Sequence, residues 1–148
     1  MRVADLHCDT LLELQGGASL EENKEGYVDL PRLARGEVGL QVFVAFVSTT
    51  FPVGRAFREA MELLDLLDDT CARYPQHLRK CVKAEEIERA ATEGKIAAVP
   101  AVENGHAIES DLKKLETLAA RGMRYMTLTH SVHLPWAASS GDNGEGPG

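Results

Sequence analysis

Apolar positions along this chain gather into short runs and into stripes at three- and four-residue steps, separated by glycine, proline and polar clusters. The first run, Val3-Ala4-Asp5-Leu6-His7-Cys8-Asp9-Thr10, begins as a short strand. Side chains alternate along a strand, so His7 and Asp9 should share one face and Cys8 should take the other. Leu11 to Leu14 reads as a helical turn stopped by Gly16-Gly17. Residues 18–36 are polar and mixed until Pro31 leads into Arg32-Leu33-Ala34-Arg35, a helical turn closed by Gly36. Val38 to Val47 is almost continuously apolar, β-branched or aromatic, the pattern of a strand buried on both faces.

Between Gly54 and Tyr74 the period changes. Phe57, Met61, Leu64, Leu67 and Cys71 form one stripe of an amphipathic helix, with Arg58, Glu62, Asp65 and Asp69 outward and Pro75 ending it. A shorter helix is expected over Ala84–Glu93, closed by Gly94. Ile96 to Val102 is a second buried strand, in which Pro100 removes one ladder donor and suggests a bulge or an edge. Ser110 can cap a helix from Asp111 to Arg121, with Leu112, Leu115 and Leu118 inward and Gly122 at its end. Arg124 to Thr129 is the last strand, ending at His130. Ala137 to Gly148 has no apolar anchor and reads as a loop or loose end.

Strand and helix alternate, which predicts a parallel α/β sheet. The strands number about four, roughly half of a closed (β/α)8 barrel, which usually runs to ~250 residues.

Composition narrows the class. At 148 residues, with 44% hydrophobic and 26% charged residues, the chain fits one globular domain with a real core. A net charge of −7 argues against nucleic acid or an anionic membrane surface as a partner. No apolar run reaches the ~18–20 residues of a membrane span, and Asp5, His7 and Asp9 interrupt any leader-like stretch at the start. Cys8, Cys71 and Cys81 are odd in number and fit neither a zinc knuckle nor a disulfide framework, which predicts reduced thiols and a cytoplasmic setting.

The polar residues just past each strand carry the chemistry. Strand one ends in His7 and Asp9, the strand at 96–102 in Glu103-Asn104-Gly105-His106, and the last in His130, with His133 shortly after. Ligands and reactions collect at the carboxyl ends of strands in α/β sheets and barrels. A neutral imidazole beside a carboxylate suits a divalent metal of the zinc class. Taken alone, H-x-D reads equally as a buried histidine bonded to a nearby acid. Glu103 alone reads as a cap or loop acid, and His106 and His133 as loop residues.

Taken together, three segments resemble the N-terminal half of the membrane dipeptidase (renal dipeptidase) family of zinc hydrolases. They are Asp5-Leu6-His7-Cys8-Asp9-Thr10, Gly94-Lys95-Ile96-Ala97 running into Val102-Glu103-Asn104-Gly105-His106-Ala107-Ile108, and Gly122-Met123-Arg124-Tyr125-Met126-Thr127-Leu128-Thr129-His130-Ser131, followed by Pro135-Trp136-Ala137. The resemblance implies the first half of a metal-dependent amidohydrolase (β/α)8 barrel over residues 1–136, with 137–148 leading toward a missing second half. It implies two zinc ions in a complete member, His7 and Asp9 on the first, Glu103 bridging both, and His130 contacting a dipeptide substrate. The family's two further zinc-ligand histidines, its substrate-gripping arginine and its proton-handling aspartate lie on later strands with no counterpart here. His106 and His133 do not match those positions, and Ala138 departs from the usual acidic residue after Trp-Ala. The expectation is therefore a partial dipeptidase, weakly active alone and self-associating through its open sheet edges. A non-catalytic half-barrel that binds metal or a partner chain, or another amidohydrolase activity such as lactone hydrolysis, is the alternative.

Overall fold

A computed structural model describes residues 3–24 and 26–147. Strand β1 (Val3–Cys8) leads into α1 (Thr10–Gln15), and α2 (Leu30–Arg35) precedes β2 (Val38–Phe46). Helix α3 (Arg55–Arg73), the short β3 (Leu78–Lys80), α4 (Ala84–Thr92) and β4 (Ile96–Glu103) follow. A 3₁₀ turn, Gly105–Ile108, and α5 (Leu112–Ala120) complete the regular elements. All strand pairs are parallel, in the order β1-β2-β4-β3.

β2 and β4 hold the centre. Their register runs without a break from Leu40↔Ala97 to Phe46↔Glu103, straight through Phe43↔Pro100. Pro100 therefore sits in an interior strand, neither at an edge nor at a bulge as its sequence suggested. On its other side β4 changes partner: Ala98 O accepts from Cys81 N, whereas Pro100 O accepts from Arg124 N. The absent N–H falls between the end of one neighbour and the start of the next, where no ladder bond is lost.

That next neighbour is the segment 124–128, expected as a full strand. It bonds to β4 through Arg124 N→Pro100 O, Val102 N→Tyr125 O and Thr127 N→Val102 O, but forms only the bridge Val102↔Met126. The ladder stops because Asn104 turns the chain at φ +83° and gives its N–H to Thr127 Oγ1, 2.8 Å away, instead of to a carbonyl.

Helix α3 covers one face of the sheet, packing with Phe43, Ala45, Ala98 and Val102. Its fully buried residues include Ala56, Ala60, Leu63, Leu64 and Leu67, while the expected Phe57, Met61 and Cys71 lie at the rim. Small Ala56 and Ala60 let the helix approach the sheet closely, a contribution that counting large apolar residues overlooks. Helix α5 is capped by Asp111, whose side chain accepts from Lys113 N, and not by Ser110. This shift leaves Leu118 buried and Leu112 outward, 69% exposed, against expectation. Ile87 and Ala90 of α4 pack on the opposite face, with Val42, Val44, Ala97 and Val99. Leu20, Leu30, Leu33, Leu78 and Ile96 close the end where the strands begin.

The sheet curls. Tyr125 donates its hydroxyl to Leu6 O at 2.7 Å, although β2 and β4 lie between their elements. Flat strands at ~4.8 Å spacing would hold them about 14 Å apart. The curl gives a partial (β/α) barrel with its inner face open. No helix among the described residues is long and apolar enough to cross a membrane.

Candidate metal centre

The open inner face carries polar side chains at its carboxyl end. Between Asp5↔Gln41 and Cys8↔Phe43 the register of β1 slips, so that Leu6 and His7 together oppose the single residue Val42. Such a bulge re-aims a side chain next to a site. Here it sits at His7, whose own N–H donates to Asp5 Oδ1 at 3.1 Å. Asp9 lies beyond the strand, at the start of α1, with a side chain that makes no capping bond. Its carboxylate faces back, Oδ1 being 3.5 Å from His7 Nε2. The pairing expected from simple alternation thus arises from a bulge and a helix start. Cys8 points away into the core, and burial pushes its thiol up to about 11, so no thiolate faces the site at neutral pH.

Glu103 closes the group from β4. Its Oε2 is 3.0 Å from His7 Nε2 and its Oε1 is 2.7 Å from His130 Nδ1. The turn after it is tightly held: Asn104 donates from Nδ2 to Val47 O at 2.8 Å and accepts from His106 N at 3.1 Å. Gly105 follows where no Cβ would fit, since one would lie 2.5 Å from Leu128 O and 2.6 Å from a Trp136 ring carbon. His130 rests edge-on against Phe46, ring centroids 4.9 Å apart, and its Nε2 has no partner among the described residues. Burial and then the neighbouring Glu103 charge hold the Asp9 carboxyl above its ordinary value, His7 pulling the other way. The Tyr125 hydroxyl is raised for similar reasons, burial first and Glu103 second.

His106 and His133 stand apart. His106 Nε2 meets Phe51 O at 2.8 Å, tying down the loop after β2. His133 accepts from Ser139 N through Nδ1 and meets Gly144 O through Nε2, fastening the loop 137–147 back on itself. Both nitrogens of His133 are thereby engaged in packing the loop.

The donor set fits a divalent cation. One ligand atom each from His7, Asp9 and Glu103 all lie within 4.8 Å of one another. Bonds of ~2.1 Å in a tetrahedron imply ligand separations of ~3.4 Å, close to the 3.0 and 3.5 Å from His7 Nε2 to the two carboxylates. Two carboxylates and one neutral imidazole also supply the negative charge such an ion needs. Sequence reading missed Tyr125, Phe46 and Asn104 here. Tyr125 was discoverable as the inward partner of Thr127 on a two-residue period, while the bond it makes to Leu6 depends on the curl of the sheet.

A parallel half-barrel with imidazole and carboxylates gathered at its strand ends defines a metallohydrolase-type scaffold. The match to known proteins makes this specific: the chain belongs to the membrane dipeptidase family, peptidase family M19, whose model matches residues 1–146. It is 36% identical over 122 residues to human Dipeptidase 3 and 32% identical to the mouse protein of that name. Those stretches cover 82% of this chain but 24% of each relative, so the chain spans about a quarter of the length of the curated relatives it matches. Among solved structures, the dipeptidase AC, a metallopeptidase of family M19, superposes with TM-score 0.78 at 23% identity, over 88% of this chain and 43% of that one. A metallopeptidase from Rhodobacter sphaeroides, liganded with a phosphinate mimic of the dipeptide L-Ala-D-Ala, gives 0.79 at 20% identity over 88% and 46%. These superpositions establish the fold, a partial barrel covering under half of each neighbour.

Proposed function

We propose that this chain carries the first half of a zinc-dependent dipeptidase centre, with His7, Asp9 and Glu103 as cation ligands and His130 facing the substrate. The observation that carries this is the convergence of His7 and Asp9 from the end of β1 with Glu103 from the end of β4, on a chain of dipeptidase family. When bound, a cation of the zinc class supplies Lewis acidity and lowers the pKa of water toward neutrality. The chain's own residues supply position and charge. Glu103 turns one oxygen to His7 and the other to His130, so a single carboxylate orients both rings. With Nδ1 engaged by Glu103 and the ring flank braced by Phe46, His130 presents Nε2 outward. A charged His130 ring donates from Nε2 to a developing oxyanion while Glu103 balances it from behind. Asp9 and Glu103 together give the cavity mouth a negative charge that draws a cation in.

Zinc titration followed by dialysis and elemental analysis tests the ligand set. About one equivalent should remain on the wild-type chain, water completing the three protein ligands. His7→Ala and Glu103→Ala should each lose it, and unchanged content in both would refute the assignment. Dipeptide hydrolysis should be weak for the chain alone and should rise when the later half of a family barrel is supplied in trans. His130→Ala should then lower turnover about a hundred- to a thousand-fold. An undiminished rate in that variant would remove His130 from the reaction.

A further inference from the structure

Tyr125 makes two polar contacts, and together they fix the direction of both. Its hydroxyl lies 2.7 Å from Leu6 O and 3.2 Å from His7 Nδ1. A carbonyl oxygen can only accept, so the one phenolic hydrogen goes to Leu6. The phenolic oxygen then faces His7 as an acceptor, and Nδ1 must carry hydrogen to meet it. Leu6 is free to accept because it lies inside the β1 bulge, where it pairs with no residue of β2. On the far side of the same ring, Nε2 lies 3.0 Å from Glu103 and 3.5 Å from Asp9.

We infer that Tyr125 is a positioning residue, which fixes the hydrogen of neutral His7 on Nδ1 and thereby leaves the Nε2 lone pair aimed at the two carboxylates. The orienting group is a phenol already committed by its hydrogen bond to Leu6, which makes the choice of tautomer independent of any ion being present. Hydrogen bonds of this kind to the second nitrogen of a ligand histidine set ring orientation and ligand basicity. The chain thus ties β1 to the segment after α5 through the atom pair that orients the ligand. The tautomer assignment stands on the apoprotein alone, whereas its consequence for ion binding rests on the metal reading above.

The test separates the two. In 15N-labelled apoprotein, at a pH where the ring is neutral, long-range 1H–15N correlations should show His7 with hydrogen on Nδ1. His7→Gln identifies the resonances by their disappearance. Tyr125→Phe keeps the ring that packs against the inner core and removes only the hydroxyl, so it should melt near the wild-type temperature while His7 shifts toward the Nε2–H form. Zinc affinity should fall roughly 10–100-fold in the same variant. Should that variant fold poorly, 3-fluorotyrosine in place of the chain's tyrosines keeps the hydroxyl but weakens it as an acceptor, and should move the His7 Nδ1 resonance. A wild-type His7 in the Nε2–H form, or a Tyr125→Phe protein with the same tautomer and zinc affinity as wild type, overturns the inference. Zinc binding that survives His7→Gln overturns the metal reading instead, and the tautomer result stands or falls without it.

Discussion

Glu109 should be among the most stabilising charged residues in the chain, although it lies outside the candidate centre. Helix α3 begins after Gly54, which has no side chain to cap it. Glu109 reaches over from the far side of the 3₁₀ turn and does so instead. Its Oε1 accepts from Gly54 N at 2.6 Å and from Phe57 N at 3.1 Å, while Oε2 pairs with Lys114. The carboxylate is 1% exposed and Lys114 27% exposed. Truncation to alanine would remove a helix cap, typically ~1 kcal/mol, and break a buried ion pair, ~3–5 kcal/mol when the orphan cannot reach water. Lys114 retains partial access to solvent, so we expect a loss of about 3 kcal/mol for Glu109→Ala. For a chain of this size that is roughly 6–12 °C in Tm.

Backbone geometry adds a second, sharper expectation at the same position. Glu109 has φ +50° and Ser110 φ +59°, the left-handed region in which L residues are strained. Glycine there is relieved of that strain, so Glu109→Gly should be less destabilised than Glu109→Ala by about 1 kcal/mol, the reverse of the order in regular elements. The pH dependence has a definite sign. Burial alone would raise the Glu109 carboxyl, but the Lys114 bond and the Phe57 and Gly54 amides outweigh it and hold it below the ordinary carboxylate value. A depressed folded pKa means that the stabilisation is fully present above the unfolded value and is lost as pH falls through the folded one. Urea unfolding followed by circular dichroism, at neutral pH and in steps below about pH 4, measures all three effects. A Glu109→Ala protein within 0.5 kcal/mol of wild type, or one more stable than Glu109→Gly, would refute the capping argument.

Two further substitutions bear on packing. Leu118→Ala should cost about 2–5 kcal/mol, whereas Leu112→Ala should stay within about 0.5 kcal/mol, because only Leu118 is enclosed; equal losses in chemical denaturation would contradict the observed face of α5. Gly105→Ala should destabilise by about 1–3 kcal/mol, since its Cβ would press on Leu128 O and the Trp136 ring, and an unchanged melting temperature would show that the Trp136 contact yields freely.

Much of this arrangement was legible in the sequence because hydrophobic period and strand-end chemistry are local. The long apolar run of β2, the stripe of α3 and the acids and histidines after β1 and β4 all stood at the positions the structure gives them. What escaped was decided by neighbours distant in sequence. β3, with Leu78-Arg79-Lys80, has no strand-like pattern and exists because β4 offers it a bonding edge. Pro100 looked like an edge residue because the change of partner beside β4 cannot be seen in one strand. The segment 124–128 carries strand-like residues, but its ladder ends where Asn104 takes Thr127 Oγ1. Asp111 displaced Ser110 as the cap of α5, and that shift decided which leucine faces inward. Tyr125 gave no local sign of its bond to Leu6, a contact made across the curled sheet by residues 119 positions apart.

Trp136 is the chain's single tryptophan, and its ring lies against Gly105, two residues beyond Glu103. The indole is therefore a built-in optical reporter of the turn that carries Glu103, with no competing emitter of its kind. With 39% of its surface exposed, it has room for its emission to move in either direction. Ion occupancy at the strand ends, closure of the loop that His133 fastens, and the docking of further chain over this side could each be followed through one native chromophore, in the unlabelled protein and in real time.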